Sequence, residues 1–242
     1  MKYYVAKPQN SLYRKCQSGF TLIEMSIVLV IVGLIIGAVS IGKDLQRNAE
    51  YQKVNSRFVQ GWALAYQAYY QKTGIVLGDS ASSPTLRVDG ADATPGEICG
   101  SQLYGFMDAA GIKMPGGRAE GSESFEVYLD SNGNPQQAEV CFQSVAWAIP
   151  ASTGGTYVAR NRNVLVLKSV TPDLAQFIDS QVDGHPDARF GDLRENSQAG
   201  VAATTTSQAW SVDNRMKYGE TTASNLDESQ VAVVTAYYLM EN

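Results

Sequence analysis

Three features of the sequence predict an α+β chain with a long N-terminal helix. An apolar run fills residues 19–42, a helical spacing of large side chains continues beyond it to about residue 74, and alternating, turn-punctuated segments come after residue 123. The first half of the helix is expected to span a membrane and the second to pack on a globular head. The 242 residues are 44% hydrophobic and 10% aromatic, enough apolar material to build one domain core after the span.

The run "GFTLIEMSIVLVIVGLIIGAVSIG" carries a single charged side chain, Glu24. As a helix rising about 1.5 Å per residue it reaches about 35 Å, enough to cross a hydrocarbon core of about 30 Å. Residues 1–19 contain Lys2, Lys7, Arg14 and Lys15 and no acid, whereas the far flank mixes Lys43, Asp44, Arg47, Glu50 and Lys53. The positive-inside rule therefore keeps the N-terminus cytoplasmic and exports the chain beyond Gly42. A secretory signal would share the basic start, and Ala38–Ser40 is a small-x-small cleavage candidate. Its apolar region, however, would be about 7–15 residues, and residues 25–42 run longer without a charge. An ionised carboxylate inside such a span costs on the order of 3 kcal/mol. Glu24 is thus either wet at the headgroup level or neutralised by a cation within an assembly. Gly33 and Gly37 have the spacing of a close helix contact, but glycine is also common in membrane helices.

Past the span, Leu45, Val54, Phe58, Trp62, Tyr66 and Tyr69 recur mostly at steps of three or four, and no proline lies between Pro8 and Pro84. Gly74 is the natural stop. A single helix over residues 21–72 would be about 78 Å long. Its heptads are too few and too aromatic for a coiled coil.

In the head, residues 124–129 alternate apolar and polar, "DSNGNP" at 130–135 is turn chemistry, and residues 138–149 complete a hairpin. Residues 156–170 read as a further strand or strand pair, and residues 231–239 as a buried strand rich in β-branched and aromatic side chains. Residues 75–122, rich in Gly, Ser, Ala and Pro, read as a loop-dominated connection, and 191–230 as similarly weak. Between the strands, Thr171 as N-cap, Pro172 at the first helical position and Leu174, Phe177 and Ile178 on one face predict a short helix ending before Gly184.

The stretch "SGFTLIE", with its basic leader and apolar sequel in register, resembles the processing site of type IV prepilins and of the pseudopilins of type II secretion. The resemblance covers residues 1 to about 74. It implies removal of leader 1–19 by a dedicated membrane peptidase after Gly19, N-methylation of the new terminus at Phe20, and pairing of Glu24 with the N-terminal ammonium of a neighbouring subunit. It also implies a pilin-like plan: an assembly helix over 20–42, an amphipathic continuation over 43–74, and an antiparallel sheet in the head, 75–242. Expected partners are other copies or related pilins in a filament, the prepilin peptidase, the pilus assembly machinery of the inner membrane, and membrane lipid before assembly. The precursor would be a single-pass inner-membrane protein, and the assembled subunit part of a surface pilus or periplasmic pseudopilus.

Losing the leader removes four bases and no acid, taking the formal charge from −5 to −9. Nothing in this balance points to nucleic acid. Cys16 would leave with the leader, so Cys99 and Cys141 remain as an even pair in an oxidising compartment and read as a disulfide, two buried free thiols being the alternative. Asp179, Asp183, Asp187 and Asp192 could donate oxygens to calcium, but no calcium-loop order is present, and a capped helix followed by an acidic turn is the preferred reading. His185, the sole histidine, is expected to pack against that turn. No cofactor is otherwise implied. No nucleophile elbow, phosphate loop, metal-ligand spacing or acid–base pair is present, which argues against an enzyme. The sequence thus predicts a minor, specialised or large major pilin. A type II secretion pseudopilin is the alternative, and a membrane-anchored periplasmic binding domain is the alternative of another class.

Overall fold

The computed structural model describes residues 19–90, 96–202, 206–210 and 233–240. The leader, apart from Gly19, and the start of the C-terminal strand expected at residue 231 lie outside the described residues. The chain divides into two units, Met1–Asp44 and Leu45–Asn242.

Helix α1 runs Leu22–Lys53. In the first unit every side chain described is exposed, including Leu22, Ile23 and the aliphatic residues from Ile27 to Ile41. An apolar helix with no buried face has no core partner in its own chain.

In the second unit the helical path continues through a π-helical turn, Val54–Val59, into α2, Gln60–Thr73. Val54, Asn55, Phe58 and Val59 are all buried there. The wider π turn lets neighbours i and i+1 face inward together, which a 3.6-residue turn does less well. Tyr51, Val54, Phe58, Trp62, Tyr66 and Tyr69 form the buried stripe. Leu45, expected in that stripe, is instead 70% exposed, and Tyr51 begins it. Gly74 ends α2 at φ +73, with its N–H donating to Tyr70 O, the left-handed stop that glycine adopts at least cost.

The stripe packs on a six-stranded antiparallel sheet in the order β1-β3-β4-β6-β5, with β2 paired to β3. The strands are β1 Ile98–Cys99, β2 Phe125–Leu129, β3 Pro135–Pro150, β4 Tyr157–Val170, β5 Leu193–Glu195 and β6 Val234–Leu239. The α+β pilin-like plan is therefore borne out. Phe142 on β3 stacks on Tyr66 at 5.0 Å and meets Trp62 edge-on at 6.4 Å. The β2–β3 turn forms as expected: the Asp130 carboxylate accepts from the N–H groups of Asn132 and Asn134, and Gly133 takes φ +83. Residues 156–170 prove to be one strand, β4, paired with β3 from Glu139↔Lys168 to Pro150↔Tyr157.

Helix α4 is Pro172–Val182. Thr171 occupies its N-cap position, but its hydroxyl makes no capping bond, and its N–H donates to Tyr128 Oη at 2.8 Å. Two short helices were not anticipated. α3, Gly100–Ala109, buries Leu103 and Met107 inside the stretch read as loop, and α5, Asn196–Ala199, comes directly after β5. Only two of α3's ten residues are fully buried and Gly105 sits among them, so its helical period is faint in sequence.

Candidate functional site

Thr21 immediately precedes α1, so the Thr21–Glu24 spacing is that of a capping box. Glu24 Oε2 accepts from Thr21 N–H at 2.8 Å and from Thr21 Oγ1 at 2.9 Å, while Thr21 Oγ1 accepts from Glu24 N–H at 3.2 Å. These bonds satisfy donors that the first turn of a helix otherwise leaves orphaned. Within one chain Glu24 thus caps its own helix, a third fate beside the two drawn from sequence. The signal was present as T-x-x-E in "TLIE", and Thr21 is the participant that reasoning on the apolar run passed over.

Around this box the surface is largely apolar and uncovered. Phe20 is 80% exposed and Leu22 92%. A Cβ built on Gly19, Gly33 or Gly37 meets no atom within 4 Å. The fold of a single chain therefore places no demand for glycine at these positions. The helical run Leu22–Thr73 holds an apolar stretch long enough to cross a membrane, with none of that stretch buried.

In the head, Cys99 and Cys141 are joined by a disulfide, facing each other across the β1–β3 ladder with Cα atoms 4.5 Å apart. Beside it, Lys168 pairs with Glu97. Glu97, Cys99 and Cys141 are the grouping of possible metal-ligand atoms found among the described residues, and its two sulfurs are committed to each other.

The acidic turn after α4 is built on backbone donors and one indole N–H. Asp179 Oδ2 accepts from Trp210 Nε1 at 2.6 Å and Asp187 N–H at 2.7 Å. Asp183 accepts from the N–H groups of Asp192 and Leu193. Asp187 Oδ1 accepts from Arg189 N–H at 2.9 Å and Gln208 N–H at 3.2 Å. These carboxylates hold the turn and clip residues 206–210 to it. Asp179 is fully buried with Oδ1 unpartnered. Burial, aided by the neighbouring Asp183 carboxylate, pushes its carboxyl up to about 7 against the pull of the Trp210 and Asp187 donors. His185, expected to pack on this turn, is exposed.

Residues 14–40 match a family model described as the prokaryotic N-terminal methylation motif. Neither the curated proteins nor the solved structures contain a match to the chain. The motif coincides with the glycine, the aromatic residue, the capped glutamate and the uncovered helix described above, and the chain carries the prepilin signature of type IV pilins and pseudopilins.

Proposed function

We propose that the chain is a structural subunit of a type IV pilus: an inner-membrane precursor, cleaved after Gly19, methylated at Phe20 and assembled helix-first with its head outside. The observation that carries this reading is α1, whose apolar side chains in residues 22–41 are exposed on every face. Such a surface is stable only in lipid or against other apolar helices. The two environments correspond to a membrane-held precursor and a filament core.

Glu24 gives the exchange between them a direction. In the lone chain it caps its own first turn through Thr21. Cleavage creates an ammonium at Phe20, and a neighbour's ammonium offers Glu24 a full countercharge where a hydroxyl and an amide offered only dipoles. The reading invokes no cofactor; in the acidic turn the Asp179, Asp183 and Asp187 carboxylates accept hydrogen bonds. It also assigns no catalysis to the head. A pseudopilin of type II secretion is the second reading, because the same motif serves both classes.

The test is the mass of the native N-terminus after membrane extraction, combined with the protein's abundance in sheared surface filaments. N-methylated Phe20 in sheared filaments is the expected result. The same terminus confined to the cell envelope favours the pseudopilin, and an intact Met1 in a host with the peptidase overturns both in favour of a tethered periplasmic domain.

A further inference from the structure

Strand β6 ends at Leu239, opposite Val164, while β4 begins at Tyr157. Along residues 157–162 the edge of β4 away from β3 therefore has no strand beside it among the described residues. A cavity of about 490 Å³ opens there, between this edge and the loop before β1.

The cavity wall is a held, strained loop. Leu86 and Asp89 take φ +60 and +53, left-handed values that non-glycine residues rarely adopt. The Asp79 carboxylate fixes the loop by accepting from Ser80 N–H, Thr85 N–H and Oγ1, and Leu86 N–H. From the other side the buried Asn163 side chain accepts from Val88 N–H at 2.9 Å and donates to Leu86 O at 2.9 Å. Strain sustained this way, by bonds from two elements, is characteristic of binding sites.

The lining has a consistent chemistry. Arg87 and Arg162 are its charged groups, and no carboxylate lines it. Neither guanidinium has an ion pair among the described residues. Arg87 Nε and Ser144 Oγ are buried without a hydrogen-bond partner among those residues, an arrangement that a native fold rarely leaves unused. Asn161 adds an exposed amide. Leu86, Leu239 and Met240 supply aliphatic surface beside these donors.

We propose that this cavity binds a sugar-sized carboxylate of the uronic-acid class. Arg87 and Arg162 take the carboxylate, the planar anion that a guanidinium fork matches. Ser144 and Asn161 bond ring hydroxyls, and the aliphatic side chains cover the ring's C–H face. The volume lies within the range of small-molecule sites and far exceeds what a bare inorganic anion fills. The site lies wholly in the head and does not depend on whether the chain assembles into a pilus or a pseudopilus.

The experiment is calorimetric titration of the full chain in detergent with glucuronate, glucose and inorganic phosphate in turn. Saturable glucuronate binding is expected, with glucose and phosphate at least about tenfold weaker. Arg162→Gln, at an exposed position, should weaken glucuronate by at least about tenfold without changing the melting temperature. Arg87→Gln should do the same where it folds, and Arg118→Gln, remote from the cavity, should bind as wild type. Absence of saturable glucuronate binding overturns the proposal. So does glucose or phosphate binding as tightly as glucuronate, or undiminished binding by Arg162→Gln.

Discussion

Residues 22–41 and residues 51–69 are both helical and both rich in large apolar side chains, yet the first set is exposed throughout and the second supplies the spine of the core. Ile31 is 50% exposed and Trp62 fully buried. The difference lies in patterning. In the second stretch most large apolar residues fall on one face, so a sheet can cover them and leave Gln67, Gln71 and Lys72 to water. In the first they fall on all faces, and no single surface of one chain could cover them. Apolar content thus measures how much burial a helix needs, and its angular spread decides whether the cover comes from the same chain or from outside.

The largest effect expected is from Gly19→Val. A side chain at residue 19 meets nothing in the fold, so the head should melt as wild type while cleavage stops altogether. N-terminal mass spectrometry reads the outcome, and normal processing of this variant would break the assignment of Gly19.

Glu24 comes next, and two substitutions separate its roles. Glu24→Gln keeps an acceptor for the capping box and removes the charge, whereas Glu24→Ala removes both. If pairing with a neighbour's ammonium governs assembly, both should reduce filament yield by roughly tenfold or more, with cleavage intact. Full yield from the glutamine variant would reduce Glu24 to a helix cap.

Trp62→Ala against Ile31→Ala tests the comparison directly. The first removes a buried ring that also donates to Glu123 O and should cost about 3–5 kcal/mol. The second removes an uncovered side chain and should leave the melting of the detergent-solubilised chain within about 0.5 kcal/mol. Equal losses would mean that the span is part of the head's core after all.

Replacing Cys99 and Cys141 together by Ser opens a loop of sequence separation 42. By the chain-entropy relation this costs up to about 4 kcal/mol, and chemical denaturation of the oxidised and variant proteins measures it. An unchanged midpoint would show that the sheet and aromatic spine hold the head alone.

The smallest effect is pH-linked. With its carboxyl raised to about 7 in the fold and about 4 when unfolded, Asp179 binds a proton in the native state that the unfolded chain releases. Its contribution is therefore present in full below about pH 4, falls as pH rises, and is lost above about 7. Asp179→Asn, neutral throughout, should match wild type near pH 4–5 and exceed it by about 1–3 kcal/mol at pH 8. A pH-independent difference would place Asp179 in its charged form throughout.

By itself the sequence determined the long helix, its stop at Gly74, the β2–β3 hairpin and the prepilin signature, because each rests on local chemistry: period, turn residues and a short motif in register. The stripe from Val54 to Tyr69 was legible for the same reason. Tertiary structure decided the rest. Leu45 carries the right residue type at a plausible step and is still exposed, since the buried stripe begins only at Tyr51. Helix α3 forms around Gly105 because burial of Leu103 and Met107 and the neighbouring Cys99 disulfide outweigh a weak intrinsic period. The cavity at β4 brings Arg87, Ser144 and Arg162 together from distant stretches, and the acidic turn aligns its carboxylates on backbone donors as far along as Gln208. Such juxtapositions depend on strand register and loop closure over tens of residues, quantities that no local window of the chain contains.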